Sequence, residues 1–324
     1  MAAMWEHLNE PFDEIPESRA IAMIKWHWEL QPTSVERLDT ERDDTFHVTT
    51  ADAEFVLKIS HPGDDPHVIG MQSAAMRHAL DAGLPVPEIV ASTDGSTHPV
   101  EHGRVLRLLT WISGDLLSSR WTYDRGVVPP NPELFGENLA TLTSALTSFE
   151  HPAAHRTFAW DLRAIGELRD LLDLAPTPAV AEALDEVEAA LPAYEALPSQ
   201  VVHGDLHPGN LVVSEGGEVT GILDFGDTMH APRLLDLAIA LAYLAPREGD
   251  AAAAVAPYIA GWERVLPLTD EERALLPVLV GGRLVQRILL GAAGAAGRAQ
   301  KFYGAARVGN VLDTWRRAEW TTTS

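Results

Sequence analysis

Two nearby stretches hold the densest group of residues able to do chemistry: VVHGDLHPGNLVV at 201–213 and GILDFGD at 221–227. The apolar runs in both predict the two strands of a hairpin, whose ends come together. Asp205, Asn210 and Asp224 are therefore expected to converge at its open end. Two carboxylates and an amide oxygen suit Mg²⁺, which usually takes phosphate oxygens as further ligands. The alternative is that these polar groups only cap turns.

The composition and net charge of the chain limit the kinds of molecule that it is expected to bind. The 324 residues suffice for one large or two ordinary domains, and 46% hydrophobic with 22% charged residues is typical of a globular protein. The chain contains 24 Lys and Arg residues and 47 Asp and Glu residues, which gives a net charge of −23. Such a chain repels a phosphate backbone, so nucleic acid is not an expected partner. The carboxylates either form a solvated surface or, in part, line a pocket for a cationic ligand.

Compartment and redox chemistry follow from what the sequence lacks. There is no cysteine, which excludes disulfides, a thiol nucleophile and cysteine-based metal sites. The acidic N-terminus has no apolar core of a signal peptide, and the apolar stretch at 234–245 is too short to span a bilayer. We expect a cytoplasmic protein without a membrane segment; its oligomeric state is not predicted.

The first 112 residues are predicted to form a small β-rich lobe with a crossing helix. Alternating apolar residues predict strands at 45–50 and 54–59, joined by a hairpin-length loop, and a third at 103–112. Helical patterns are predicted at 16–30 and 66–82.

Residues 113–324 are predicted to form a mainly helical lobe in which the hairpin is embedded. One helix begins at Asn131 as N-cap, followed by Pro132 at the first helical position. Further helices are predicted at 160–174, 177–191, 249–265, 269–290 and 297–319. The fold class is therefore α+β, with a β-rich N-terminal and a mainly helical C-terminal lobe.

The motifs HGDLHPGN and LDFGD resemble those of the aminoglycoside phosphotransferase/choline kinase family, small-molecule kinases related to protein kinases. The resemblance implies a two-lobed, protein-kinase-like fold that binds a nucleoside triphosphate with Mg²⁺. It implies that Asp205 is the catalytic base, that Asp224 is the main Mg²⁺ ligand, and that Asn210 is a second one. His203 is then expected to be structural. Asp236 is expected to brace the backbone of the loop that carries Asp205.

The N-terminal lobe offers residues for the nucleotide. A kinase-like fold needs a strand lysine for the α- and β-phosphates, and FVLKIS supplies Lys58. The alternative is a solvated edge lysine. No G-x-G-x-x-G loop is present, so backbone N–H groups around Asp43, Asp44 and Thr45 are expected to take its place. Trp111, near the crossing between lobes, is expected to flank the nucleotide base.

One position departs from the usual kinase pattern. The helix partner of the lysine is usually Glu, whereas Gln72 stands at the corresponding place. A neutral partner would position Lys58 by hydrogen bonding. The alternative partners are Asp64 and Asp65.

Stretches from about residue 40 to about residue 290 resemble the hydroxylysine kinase branch of the family, where the position of Gln72 also tends to be Gln. This implies a small amino alcohol as acceptor, with 5-hydroxylysine first, and GTP or ATP as donor. Asp227 is expected to pair with a substrate ammonium, or else to cap a turn. Arg283 is expected to clamp an α-carboxylate through its planar fork, or else to form a salt bridge between helices.

Three rival functions are weighed against the sequence. An antibiotic phosphotransferase acting on aminoglycosides or macrolides is the nearest. A nucleotide-binding pseudokinase would typically have lost Asp205, Asp224 or Lys58, and all three are present. A protein kinase needs a long segment after the DFGD sequence, whereas DFGDTMHAPRLLDLA is expected to enter a helix within a few residues.

Overall fold

The structure is a computed structural model that describes residues 12–40, 42–120, 131–174, 177–294 and 305–320. Its N-terminal part is an antiparallel sheet in the order β1-β2-β3-β6-β4, with β5 paired to β6. The strands are β1 Ser34–Leu38, β2 Asp44–Thr49, β3 Glu54–Ile59, β4 Ile89–Val90, β5 Val100–Glu101 and β6 Arg104–Thr110, and the helices are α1 Glu17–Trp28 and α2 Pro66–Asp81. The predicted elements of this lobe are confirmed, and β1, β4 and β5 are additional strands.

Strand alternation gives the sheet two different faces. Phe46 and Leu57 are fully buried in a cluster with residues of α1. The opposite face carries Thr45, Lys58 and Arg107, which are neighbours across β2, β3 and β6. This face looks towards the C-terminal part, because Lys58 lies 3.5 Å from a carboxylate oxygen of Asp224 there.

The C-terminal part is mainly helical and contains two short sheets. Their orders are β10-β9-β7 and β11-β8. The strands are β7 Asp115–Leu116, β8 Ser199–Val202, β9 Leu211–Val213, β10 Val219–Ile222 and β11 Met229–Pro232. The helices are α3 Leu117–Arg120, α4 Pro132–Ala145, α5 Pro178–Glu195, α6 Leu234–Leu244, α7 Ala251–Glu263, α8 Asp270–Ala293 and α9 Ala305–Arg317.

The predicted hairpin exists, but it is shorter than expected. Strands β9 and β10 pair around a turn in which Gly217 has φ 83°, a conformation that favours glycine. Strand β8 leaves the hairpin and pairs with β11, a strand that was not predicted. The chain enters α6 at Leu234, within a few residues of the DFGD sequence as expected, but the short strand β11 lies between them. Backbone pairing with β8 draws the MHAP stretch into a strand despite its proline.

Two predicted helices also need comment. Residues Leu162–Leu174 form 3-10 turns instead of a regular α-helix. The predicted helix at 297–319 appears as α9, and its stretch 297–304 lies outside the described residues. Asn131 is the N-cap of α4, as expected, and its side chain accepts a hydrogen bond from the N–H of Leu134 at 3.0 Å.

The hydrophobic cores do not follow the chain order. Ala75, Met76 and Ala79 of α2 pack in the cluster that fills the C-terminal part, together with Leu109 of β6. The division at residue 112 stays a prediction. Among the described helices, α8 alone is long and apolar enough to cross a membrane, but 72% of its apolar window is buried inside the protein, as in a core helix.

Helices α4 and α7 approach closely because glycines face the contact. A Cβ at Gly136 would overlap the carbonyl oxygen of Tyr258, and a Cβ at Gly261 would overlap that of Glu133. In both places the obstacle is backbone, which cannot rotate away as a side chain can. By contrast, a Cβ at Gly70, inside α2, would meet nothing within 4 Å.

We predict opposite effects of alanine at the two helical glycines. Gly136→Ala should lower the free energy of unfolding by about 1–3 kcal/mol, because the added methyl forces α4 and α7 apart. Gly70→Ala should raise it by about 0.5–1 kcal/mol through helix propensity alone. Urea titration of both variants measures this. A Gly136→Ala protein as stable as the Gly70→Ala protein would contradict the close contact.

Candidate active site

Asp205 lies in the loop after β8, at the centre of a network of donors. We call residues 203–210 the catalytic loop. Oδ1 accepts a hydrogen bond from Arg283 Nη2 at 2.9 Å, and Oδ2 accepts one from Asn210 Nδ2 at 2.9 Å. His207 Nε2 lies 3.4 Å from Oδ2. Both carboxylate oxygens are thus fixed in position.

These donors decide the ionisation of Asp205. Burial acts to raise its pKa, but His207 and Arg283 outweigh burial and bring the pKa down to about 2. The carboxylate is therefore charged at neutral pH and can accept a hydrogen bond from a hydroxyl. The His207 tautomer fits, because Gly209 N–H donates to its Nδ1 at 2.9 Å and leaves the hydrogen on Nε2, facing Asp205.

The catalytic loop is held from the core of the C-terminal part. Asp236 of α6 is fully buried and accepts hydrogen bonds from the N–H groups of His203 at 3.3 Å and Gly204 at 2.9 Å, and from the Thr143 hydroxyl at 2.9 Å. Its bracing role was expected. His203 Nε2 lies 3.1 Å from the carbonyl oxygen of Leu223, and its Nδ1 accepts from the N–H of Asp205 at 3.3 Å. His203 is thus structural, as expected.

Gly204 lets the loop approach the DFGD turn, residues 224–227. Its φ of 80° favours glycine, and a Cβ there would overlap the carbonyl oxygen of Asp227. The two loops of the site therefore touch backbone to backbone. No larger residue fits at this contact without moving one of them.

Asp224 begins the DFGD turn in a left-handed conformation, with φ 60°. Its Oδ1 accepts from Gly226 N–H at 3.2 Å, and its side chain is 48% exposed, so ligands can reach it. Lys58 lowers the pKa of Asp224 more than burial and Asp205 raise it, so the group is a carboxylate. Leu223 N–H donates to the carbonyl oxygen of Asn210 at 2.8 Å and ties the two metal-ligand candidates together.

These residues fit a divalent cation. The Asn210 amide nitrogen is turned towards Asp205, with donations to Oδ2 and to the backbone carbonyl at 2.8 Å. The amide oxygen is therefore the atom left to ligate a cation, beside the charged Asp224. One carboxylate and one amide oxygen form the hard set that Mg²⁺ or Ca²⁺ accepts when phosphates and water complete the shell.

Lys58 lies between two carboxylates instead of next to the helix residue expected to hold it. Its Nζ is 3.5 Å from Asp224 Oδ1 and 3.5 Å from Asp43 Oδ2. Burial acts to lower the pKa of Lys58, but Asp224 and Asp43 outweigh it and raise the pKa. The ammonium is charged and faces the C-terminal part, so the expectation of a solvated edge lysine does not apply.

The expected partners of Lys58 have other contacts, and this part of the prediction was wrong. The Gln72 amide donates to the carbonyl oxygen of Gly226 at 3.0 Å and accepts from Arg107 Nη1 at 3.2 Å. Asp64 pairs with Arg42, and Asp65 caps the N-terminus of α2. Sequence reasoning gave Asp43 only a backbone role and missed the contact of its carboxylate with Lys58, although Asp43 directly precedes β2.

Thr45 and Trp111 lie on the cleft-facing side of the sheet. Thr45 is the β2 partner of Lys58, and its hydroxyl accepts from Thr40 Oγ1 at 3.3 Å. The Trp111 ring stacks on His47, with 4.1 Å between ring centroids and 29° between planes. The contacts of either residue with a nucleotide stay predictions.

Asp227 is a second acid beside Asp205. Burial and the charge of Asp205 raise the pKa of Asp227 to about 8, although Arg283 and Arg156 act to lower it. Arg156 holds the turn itself, because its guanidinium donates to the carbonyl oxygens of Gly226 at 2.6 Å and of Thr228 at 3.1 Å. Sequence reasoning missed Arg156, which no motif spacing marks.

Arg283 does not stand free as a clamp for a substrate carboxylate. It is only 1% exposed, its ring partner is Trp160 at 4.4 Å, and its Nη2 is taken by Asp205. The alternative expectation, a salt bridge between helices, agrees better with the structure. The partner, however, is Asp205 of the catalytic loop and not a residue of another helix. The carboxylate clamp was therefore wrong, and Arg283 holds the catalytic carboxylate instead.

The sequence profile of the phosphotransferase enzyme family (APH) matches residues 34–275, which includes every motif described above. The chain belongs to this family. It is 26% identical over 312 residues to hydroxylysine kinase of Danio rerio, covering 87% of this chain and 85% of that protein. It is 32% identical over 256 residues to homoserine kinase of Gluconacetobacter diazotrophicus, covering 75% of each.

Among solved structures, a microcompartment-associated aminopropanol kinase superposes with a TM-score of 0.73 at 20% identity, covering 92% of this chain and 96% of that one. The two-lobed, protein-kinase-like fold is thereby confirmed. The chain is a small-molecule kinase that transfers a phosphoryl group from a nucleotide to a hydroxyl acceptor.

We predict that the stability of the metal-free protein reports the ionisation of Asp227. The unfolded chain loses this proton near pH 4, whereas the folded protein keeps it to about pH 8. The folded state therefore binds more protons in this window, and its stability falls as pH rises. The Asp227→Asn variant has no carboxyl to ionise at this position. The difference between its Tm and that of the wild type should therefore increase from pH 5 to pH 8.5.

The increase should amount to about 8 °C or more, because the three pH units from 5 to 8 are worth about 4 kcal/mol and 1 kcal/mol moves Tm by about 2–4 °C in large domains. Thermal unfolding in EDTA measures it. Asp52→Asn, in the exposed turn between β2 and β3, is the matched control and should show a constant difference. A constant difference for Asp227→Asn as well would contradict the raised pKa.

We predict that Arg283→Lys lowers kcat about tenfold or more, because an ammonium lacks the planar fork that holds Asp205 while stacking on Trp160. The loss should be equal for acceptors with and without an α-carboxylate, with KM of the acceptor changing less than kcat. Steady-state kinetics on both acceptor types test this. A rise in KM confined to the carboxylate-bearing acceptors would reinstate the clamp.

Proposed function

We propose that the acceptor is a small hydroxy amine, with the hydroxyl of 5-hydroxylysine first. The observation that carries this proposal is the position of Asp227 beside Asp205. Asp227 is half-buried, and its ionisation is suppressed by desolvation and by the neighbouring carboxylate of Asp205, so this carboxyl gains most from a cation. A substrate ammonium at Asp227 supplies that cation and leaves the adjacent hydroxyl near Asp205.

The names of the relatives support the same class. Hydroxylysine, homoserine and aminopropanol each combine an amino group with a hydroxyl, and the first two are amino acids. Homoserine is the second candidate, because a homoserine kinase shares 32% identity over 75% of the chain. Homoserine offers one ammonium and hydroxylysine two, so an acidic pocket favours hydroxylysine.

In the proposed reaction the residues act mainly by position and charge. Asp205 orients the acceptor hydroxyl and receives its proton as the new bond from the hydroxyl oxygen to the γ-phosphorus forms and the bond from that phosphorus to the departing nucleoside diphosphate breaks. Lys58 binds phosphate oxygens of the donor. Asp224 and Asn210 would hold Mg²⁺, which when bound offsets the charge of the phosphates. Arg283 keeps the Asp205 carboxylate turned towards the hydroxyl.

The donor is proposed to be GTP or ATP, with its base beside Trp111. The Trp111–His47 stack stands on the face of the sheet that carries Lys58, since His47 and Thr45 are two residues apart on β2. Gln72 and Thr45 border the same region. The division into a nucleotide lobe (1–112) and a catalytic lobe (113–324), and a cytoplasmic location, complete the proposal.

A coupled assay of nucleoside diphosphate release, run with ATP and with GTP, tests the acceptor. The panel is 5-hydroxylysine, homoserine, 1-amino-2-propanol, kanamycin and a macrolide. We predict the highest kcat/KM for hydroxylysine and a loss of about 10²–10⁴ in kcat for Asp205→Asn, with nucleotide affinity retained. Melting curves confirm that the variant is folded.

Turnover of kanamycin or the macrolide without turnover of hydroxylysine would overturn the acceptor class and make the chain an antibiotic phosphotransferase. Near wild-type kcat for Asp205→Asn would remove Asp205 from the mechanism. Nucleotide binding without turnover of any acceptor would favour the pseudokinase.

A further inference from the structure

We propose that Asp43, in the loop between β1 and β2, is the positioning residue for Lys58. In other kinase-like folds an acid on the helix that corresponds to α2 has this task. The inference rests on the proposed role of Lys58 in phosphate binding. It deepens that role by naming which group holds the ammonium in place when a nucleotide arrives. It also gives Gln72 a separate function.

Asp43 directly precedes β2 and is held in place by several contacts. Its Oδ2 lies 3.5 Å from Lys58 Nζ and 4.0 Å from Arg107 Nη2, and its side chain is only 17% exposed. Thr40 Oγ1 donates to the carbonyl oxygen of Asp43 at 2.7 Å, and the next-door Arg42 pairs with Asp64 at 2.8 Å. The loop is therefore pinned on both sides of the carboxylate.

Lys58 and Arg107 are direct neighbours across β3 and β6, so Asp43 lies against two cations on one face. Two positive charges and one negative charge leave a net charge of +1 at this point of the cleft. Without Asp43 the two cations would repel each other, and the flexible lysine would move rather than the buried arginine. The carboxylate thus fixes the lysine between its strand and the DFGD turn.

Gln72 cannot serve as the acid, and its contacts show why an amide stands there. Arg107 only donates, so it must face the amide oxygen, and the Gly226 carbonyl only accepts, so it must face the amide nitrogen. A carboxylate at this position would keep the first contact and lose the second. The residue links the sheet to the DFGD turn and leaves Lys58 to Asp43.

Asp224 and Asp43 are expected to have different roles when a nucleotide is bound. Asp224 is the other carboxylate beside Lys58, but its 48% exposure and its place in the DFGD turn suit a cation ligand. When Asp224 binds a cation, Asp43 is the carboxylate that remains to hold the Lys58 ammonium.

The test measures nucleotide binding directly, by calorimetry with Mg²⁺ and the triphosphate in the absence of acceptor. We expect Asp43→Asn to raise Kd about tenfold, which corresponds to about 1.4 kcal/mol. Asp43→Glu should recover part of the loss. Asp52→Asn is the matched control and should bind like the wild type. Melting curves and KM of the acceptor should stay unchanged for Asp43→Asn, which separates positioning from folding.

The double variant Asp43→Asn/Gln72→Glu decides between loop and helix. We expect no recovery, because residue 72 faces Arg107 and Gly226; recovery of wild-type Kd would overturn the inference. Unchanged Kd for Asp43→Asn while Lys58→Ala binds weakly would also overturn it. Tighter binding by Asp43→Asn would do the same, since the carboxylate would then compete with phosphate. Only a Lys58→Ala protein that binds normally would instead refute the proposed role of Lys58.

Discussion

The buried carboxylate of Asp236 is the contact on which the geometry of the active site depends. A charge inside a core is costly unless donors surround it, and Asp236 has two backbone N–H groups and a hydroxyl as partners. Two of these donors belong to His203 and Gly204, immediately before Asp205. The catalytic loop therefore cannot turn without leaving a buried carboxyl group short of hydrogen-bond donors. Arg283, Asn210 and His207 orient a side chain whose backbone α6 has already fixed.

Two neighbouring carboxyls in this frame have opposite protonation states. Arg283 donates a hydrogen bond to Asp205, and the pKa of Asp205 falls to about 2, while that of Asp227 rises to about 8. Each ionised acid disfavours ionisation of the other, so the better-supported one keeps the charge. Acids whose pKa values are pushed apart in this way take different roles. Asp205 keeps its charge and can accept a hydrogen bond from a hydroxyl, whereas a cationic ligand would favour the ionisation of Asp227.

The sequence predicted the parts of the site that local spacing determines. Asp205, Asn210 and Asp224 lie on one short hairpin and its flanks, so their meeting followed from strand pairing alone. Lys58 followed from its place in a strand pattern. The partners of these residues come from distant parts of the chain. Arg283 is 78 positions from Asp205, and no pattern in α8 marks the helical turn that faces the catalytic loop.

The missed strand β11 shows the same limit in the fold. MHAP is too short and too irregular to stand out, and it is a strand only because β8 offers an edge. The 3-10 turns at Leu162–Leu174 have helical spacing of apolar residues, which burial satisfies in either helix type. Periodicity identified the buried faces, while tertiary packing decided the backbone hydrogen bonds.

The division of contacts between Asp43 and Gln72 follows from where helix α2 packs. Ala75 and Ala79 bury α2 in the hydrophobic cluster of the C-terminal part, and Gln72 ties it to the DFGD turn. Helix α2 is thus attached to the catalytic side of the cleft. An acid on α2 would couple the position of Lys58 to that side. Because Asp43 directly precedes β2, the contact between Lys58 and Asp43 stays within the N-terminal part, whereas the contact between Lys58 and Asp224 spans the two parts.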